Sequence, residues 1–258
     1  MLISKNINTN AKYCNISIKS FTLYMKKNNR FIIFLFALIS MCVLLYLIFT
    51  LFLEMKYYET MGNLDENEKS FHVLLATIGK NGIFRILQSF KTQLSENDYL
   101  TVVFDGPDWP NIQEVIDYTK DFKCNVSVII EEENLGHWGH GIRNKHKDLK
   151  GDYVFHVDDD DDITPDCMES LRNNCNDLTK VFLFKMQLDP NTIIWTDKKI
   201  EQSKVGTPMG ILPIEINKKS DFGYFYGGDF EFYKNLETQG IPFEYVDKLI
   251  YIVKPNKN

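Results

Sequence analysis

Residues 31–53, FIIFLFALISMCVLLYLIFTLFL, are 23 consecutive residues without a charge. A helix of that length covers about 34 Å, enough for a hydrocarbon core of ~30 Å. A helix packed inside a globular core seldom stays apolar on every face over so many turns. A secretory signal would have a shorter apolar region, ~7–15 residues, ending in a small-residue cleavage site. Leu51-Phe52-Leu53-Glu54 is not such a site. The run is expected to be one transmembrane helix, with Ser40 and Thr50 bonding back to its backbone. Lys5, Lys12, Lys19, Lys26, Lys27 and Arg30 precede it with no acid among them, while Glu54 and Lys56 follow it and roughly cancel. The positive-inside rule then puts residues 1–30 in the cytoplasm as a basic tail. Everything after the helix lies across the membrane, in a Golgi or ER lumen or otherwise outside the cytoplasm, as in a single-pass type II protein.

All 35 acids of the chain lie beyond this run, and the net charge is −6. That balance excludes a general nucleic-acid binder, which needs a basic face. Residues 54–70 are polar, lack a strong period and read as a stem. From Phe71 onward apolar runs alternate with helical patterns. Strands are expected at 72–77, 99–104, 126–130 and 153–157. Helices are expected at 81–93, from Asn111 to about 121, at 138–148, and from Pro165 to about 175. After 180 the pattern loosens into strands at 181–188, 192–196 and 209–216, a helix at 229–239 and a last strand at 245–253. Such alternation implies an α/β fold, a mostly parallel sheet with helices on both faces. Cys167 and Cys175 stand ~12 Å apart along one helix, too far for a disulfide. No cysteine has the paired spacing of a zinc site. Asn125-Val126-Ser127 is a sequon at the start of a strand.

The chemistry concentrates at Asp158 to Asp162, five consecutive carboxylates directly after a buried strand. Ligands of open α/β sheets bind beyond the carboxyl ends of strands. Carboxylates there suit a hard divalent ion that also takes oxygens from a substrate phosphate. Asp105 ends the second strand and Thr77 the first, so three strand ends deliver polar groups to one edge. In NLGHWGHGIRN (134–144), three glycines in six residues form a loop that lets backbone approach a ligand. Arg143 follows at a helix start, where a diphosphate would find amide donors and a guanidinium.

Four segments together resemble nucleotide-sugar glycosyltransferases of the GT-A fold, close to the inverting, family-2-type enzymes. LLATIGKNGIFRILQSF (74–90) is similar to their first strand and helix, and TVVFDGPD (101–108) to the strand ending in an aspartate that contacts uracil. NLGHWGHGIRN matches the Asn-x-Gly…Ala-Arg-Asn segment, and GDYVFHVDDDDDITPDCMESL (151–171) the Asp-x-Asp motif with its following proline. The resemblance covers residues 71 to about 240. It implies a Rossmann-like catalytic domain at 71–258, with a nucleotide-binding half at 71–162 and an acceptor half at 163–258. It implies donor contacts from Thr77, Arg85, Asp105, Asn134, Gly136, Arg143, Asn144, Asp158 and Asp159. Mn²⁺ or Mg²⁺ would be held by Asp158, Asp160 and Asp161.

YFYGGDFEFYKNL (224–236) resembles the segment carrying the base that deprotonates the acceptor. Asp229 is the expected base and Glu231 the alternative; Asp229 also suits a helix N-cap. Gly227 and Gly228 fall in the acceptor region, where Trp195 and Tyr226 are a platform for a sugar face or part of the core. Many relatives place a metal-binding histidine near the C-terminus. Here all five histidines stand at or before 156. The resemblance implies a membrane-anchored, metal-dependent transferase moving a sugar from a nucleoside diphosphate, UDP above others, to a hydroxyl of a glycan, protein or lipid. The competing reading is a degenerate, non-catalytic binding module on the same fold, tethered to the membrane.

Overall fold

The computed structural model describes residues 33–34, 37–52, 69–194 and 198–253. The expected basic tail, nearly all of the stem, and Trp195 lie outside the described residues. The chain divides into two units, Met1–Tyr58 and Glu59–Asn258. In the first, residues 37–52 are helical with their apolar side chains exposed. The Thr50 hydroxyl donates to the Leu47 carbonyl at 2.8 Å. Among the described residues no helix is long and apolar enough to cross a membrane.

The second unit is built on one sheet. Strand β1 (Phe71–Thr77) is buried at every position. FHVLLAT is a continuous apolar run because a central strand has no solvent face. It pairs in parallel with β2 (Tyr99–Phe104) on one side and β4 (Tyr153–Asp158) on the other. Strand β3 (Asn125–Ile130) extends the β2 side, again in parallel. The remaining strands are β5 (Asp162–Ile163), β6 (Val181–Asp189), β7 (Thr192–Ile194), β8 (Gly210–Pro213) and β9 (Phe243–Ile252). The order is β3-β2-β1-β4-β8-β6-β9-β5, with β7 on β6. Helices α1 (Ile83–Gln93), α2 (Ile112–Thr119), α3 (His140–Lys145), α4 (Cys167–Asn174), α5 (Ile214–Asn217) and α6 (Gly228–Thr238) connect them. Helix α1 buries Ile83, Ile86, Leu87 and Phe90, a stripe at helical spacing. All described cysteines are free, Cys167 and Cys175 included.

Three expectations are corrected. The sheet is mixed rather than mostly parallel, because β8 runs antiparallel to both β4 and β6, and β5 antiparallel to β9. The stretch expected as a strand over 209–216 ends at Pro213, which has no N–H for the ladder. Ile214, Ile216 and Asn217 turn instead into α5 and are buried there. The helix expected over 138–148 is only His140–Lys145. Ahead of it Gly136, His137, Trp138 and Gly139 all have positive φ, a backbone that the right-handed α-helix does not continue.

Candidate active site at the strand ends

Chain order switches direction between β1 and β4, since β2 and β3 were added on β1's other side. At such switch points loops diverge and leave a crevice beyond the carboxyl ends. A cavity of about 400 Å³ lies there, lined by Thr77, Lys80, Asp105, Asn134, Gly136, Trp138, Asp158, Asp159 and Asp160. That volume suits a small-molecule ligand.

The five aspartates divide by partner. Asp158 Oδ1 accepts from Arg143 Nη2 at 2.5 Å, and its amide donates to the Tyr251 hydroxyl at 3.0 Å. Asp159 turns inward. It accepts from the Thr77 hydroxyl at 2.5 Å and the Ile78 amide at 3.2 Å. Burial pushes its carboxyl above the usual range. Asp160 faces the cavity and meets Lys80 Nζ at 3.3 Å. Asp161 is buried beside Tyr251. Asp162 accepts from Ser89 Oγ at 2.6 Å. Of the three expected metal ligands, Asp158 and Asp160 line the cavity and Asp161 does not. Among the described residues no three metal-binding side chains converge. Two carboxylates are too few for a site built by protein alone. They suffice for a hard ion whose other oxygens come from a diphosphate and water.

Asp105 is buried, and its carboxylate accepts the Leu135 amide at 2.5 Å and the Gly136 amide at 3.0 Å. Asn134 Nδ2 donates to the Asp105 carbonyl at 3.3 Å. The aspartate therefore ties the end of β2 to the glycine-rich loop. Arg143 is almost fully buried beneath the cavity, bonded to the carbonyls of Trp138 (2.9 Å) and Val157 (3.3 Å) as well as to Asp158. Two expected donor contacts face elsewhere. Arg85 clamps the acid turn through the carbonyls of Asp160 and Asp161. Asn144 pairs with the backbone of Phe222, donating at 2.9 Å and accepting at 2.8 Å.

Asp229 lies in the first turn of α6, whose N-cap is Gly227 and not Asp229, and accepts from the Phe230 amide at 2.9 Å. This bond is local, and burial raises its carboxyl above the usual range. His140 is close enough to interact with both Asp229 and Asp158. Its Nδ1 donates to the Gly223 carbonyl at 2.7 Å, and burial lowers its affinity for a proton. Glu231, two residues on and about 200° around the helix, lines a separate hollow with Tyr224, Asp221 and Asn235. Gly227 (φ 93°) forms the turn into α6. At Gly228 a Cβ would stand 2.1 Å from the Gly223 carbonyl oxygen, so both glycines shape backbone.

Among the cavity residues without a sequence expectation, Lys80 and Trp138 stand out. Lys80 stands between Gly79 and Gly82 in the loop after β1, a spacing that marks close backbone approach. Trp138 (φ 55°) and His137 (φ 58°) hold the left-handed region, rare for bulky side chains. Trp138 is 64% exposed and meets Tyr226 edge-on at 6.0 Å; His137 lies 4.7 Å from Tyr224. An aromatic rim thus joins the glycine-rich loop to the segment before α6.

No family model matches the sequence, and no curated protein matches it. Solved structures share the fold. S. aureus TarS 1-349 in complex with UDP-GlcNAc superposes with a TM-score of 0.59 at 17% identity, over 74% of this chain and 59% of that one. The mannosyltransferase PcManGT from Pyrobaculum calidifontis, in complex with GDP-Man and Mn²⁺, gives 0.56 at 11% identity, over 75% and 60%. GalNAc-T7 with UDP, GalNAc and Mn²⁺ gives 0.56 at 14%, over 74% and 45%. The α/β mixed sheet is therefore of the GT-A type, and the chain spans at most about 60% of these structures' lengths.

Proposed function

We propose that the protein is a glycosyltransferase that moves a sugar from a nucleoside diphosphate, UDP above others, to an acceptor hydroxyl. The observation that carries this reading is the strand-end cavity at the β1/β4 switch point, bounded by Thr77, Asp105, Asp158 and Asp160. Its support is the likeness in fold to structures that hold UDP-GlcNAc, GDP-Man and UDP. Asp229 takes the acceptor proton as the hydroxyl oxygen attacks the anomeric carbon and the bond to the diphosphate breaks, inverting that centre. A carboxyl raised by burial is a stronger base once ionised. Asp158 and Asp160 would hold a hard divalent ion, which would supply charge to offset the leaving diphosphate. The buried Arg143 orients Asp158. The Trp138–Tyr226 rim offers an apolar face to an acceptor sugar.

The charge-free run of residues 31–53 and the six bases before it support a single-pass type II anchor, with residues 71–258 outside the cytoplasm. The second reading is a non-catalytic binding module. The pairing of Asp158 and Asp160, the two expected metal ligands in the cavity, with protein cations, and the lack of any histidine after 156, favour it. A panel of nucleotide-sugars assayed for nucleoside diphosphate release, with and without Mn²⁺, separates the two. Release above background by the wild type and not by Asp160→Asn supports the enzyme. Silence with every donor, while UDP still binds, supports the module.

A further inference from the structure

Lys80 Nζ lies 3.3 Å from Asp160 Oδ2 inside the cavity, and the sugar-transfer chemistry above gives it no role. The loop that carries it has little room to shift. Gly79 has φ +69°, and a Cβ there would stand 2.7 Å from Asn111 Oδ1 and 2.8 Å from Trp109 Cβ. A Cβ on Gly82 would stand 3.0 Å from the Asp159 carbonyl oxygen and 3.1 Å from Asp160 Cα. Backbone on either side of Lys80 is therefore pinned, one end to the β2 loop and the other to the acid turn. Its side chain is not pinned: it is 42% exposed on a flexible four-carbon stem.

The opposite wall has its own cation, since Asp158 bonds Arg143 at 2.5 Å. Both carboxylates that a metal would need thus carry a protein cation before any ligand enters. A divalent ion arriving alone must displace Lys80 from Asp160. A diphosphate changes that balance, because its oxygens compete for the ammonium and its own charge attracts the metal.

We propose that Lys80 is a mobile counter-ion: it neutralises Asp160 in the empty cavity and moves onto the diphosphate when a nucleotide binds, so that metal binding at Asp160 is conditional on nucleotide. The proposal rests on the nucleotide-diphosphate reading of the cavity. The full chain in detergent tests it with three probes: Mn²⁺ alone by the electron paramagnetic resonance of the free ion, UDP alone by calorimetry, and the two together. Wild type is expected to bind Mn²⁺ alone weakly and more tightly with UDP. Lys80→Met is expected to bind Mn²⁺ alone about fivefold more tightly, equivalent to ~1 kcal/mol, and UDP alone about fivefold more weakly. Lys80→Arg, which keeps the charge, should follow wild type. Adding Asp160→Asn to Lys80→Met should abolish the Mn²⁺ gain. Unchanged Mn²⁺ affinity in Lys80→Met, or unchanged affinity for UDP alone, overturns the proposal. Failure of wild type to bind UDP with or without Mn²⁺ overturns the nucleotide reading itself. A persisting Mn²⁺ gain would then show Lys80 to be a counter-ion for Asp160 alone, and the transfer onto diphosphate would be refuted.

Discussion

Five identical side chains in a row end in unlike environments, and partners distant in sequence decide which is which. Asp159 and Asp162 are taken by hydroxyls, Asp158 by a guanidinium and Asp160 by an ammonium. The same logic revises the part played by Asp105. Its carboxylate is buried and accepts two backbone amides from the glycine-rich loop. Asp105→Ala is therefore expected to cost ~1–3 kcal/mol of stability through the orphaned amides, and to weaken UDP binding by loosening the loop. Denaturant melts beside UDP titrations check this; lost affinity with full stability would make Asp105 a direct ligand contact instead. For the base, Asp229 and Glu231 are separated by helix geometry. Asp229→Asn should lower turnover by ~10²–10⁴-fold with UDP affinity retained, and Glu231→Gln should not. Since burial raises the Asp229 carboxyl, the acid limb of kcat/KM should lie above the ordinary carboxylate range, with activity rising as pH rises through it. A limb that survives in residual Asp229→Asn activity would belong to another group.

At the scale of elements, the parallel half of the sheet was plain in the sequence, because a strand buried on both faces reads as an unbroken apolar run. FHVLLAT, YLTVVF and YVFHV all became strands within a residue or two of expectation. The acid turn and its place at a strand end were equally legible. What was hidden depends on contacts distant in sequence. Ile-Glu-Ile after Pro213 alternates like a strand, yet its isoleucines are buried from a helical turn. Asn111 sits at the N-cap of α2, yet its side chain makes no cap bond and stands against Gly79. Lys80 and Trp138 joined the cavity through glycines whose neighbours only the fold reveals. The turn into α6 offers a direct check of such packing. Gly228 is buried, and a Cβ there would overlap the Gly223 carbonyl, which also accepts from His140. Gly228→Ala should destabilise the protein by ~1–3 kcal/mol and disturb Asp229 beside it. Gly240→Ala, at positive φ but with open space around it, should cost only the backbone strain. Gly228 has no positive φ, so a negligible loss there would show that the Gly223 carbonyl gives way to the added methyl.

For the whole molecule, two histidines buried in the sheet couple folding to pH. His156 is fully buried against Asn217, and burial lowers its pKa to about 3. His72 bonds the Thr101 hydroxyl at 2.8 Å, and burial lowers it to about 4. In the unfolded chain both return to ~6.5. Between those values the unfolded state binds protons that the folded state refuses, so stability must fall as pH drops below ~6.5. Each histidine contributes a slope of at most ~1.4 kcal/mol per pH unit. Asp159 and Asp229 act oppositely. Raised in the fold, they contribute stability that is present at low pH and lost as pH rises through their folded values. The two carboxyls offset part of the histidine slope wherever their windows overlap, and the His156 variant isolates the histidine part. Denaturation at pH 7, 6 and 5 is expected to show a loss on the order of 2–4 kcal/mol, and His156→Gln should remove about half of that slope whatever its own effect at pH 7. A stability that stays level from pH 7 to 5 in the wild type would mean that the folded sheet admits those protons, and that the buried rings are wetter than their packing implies.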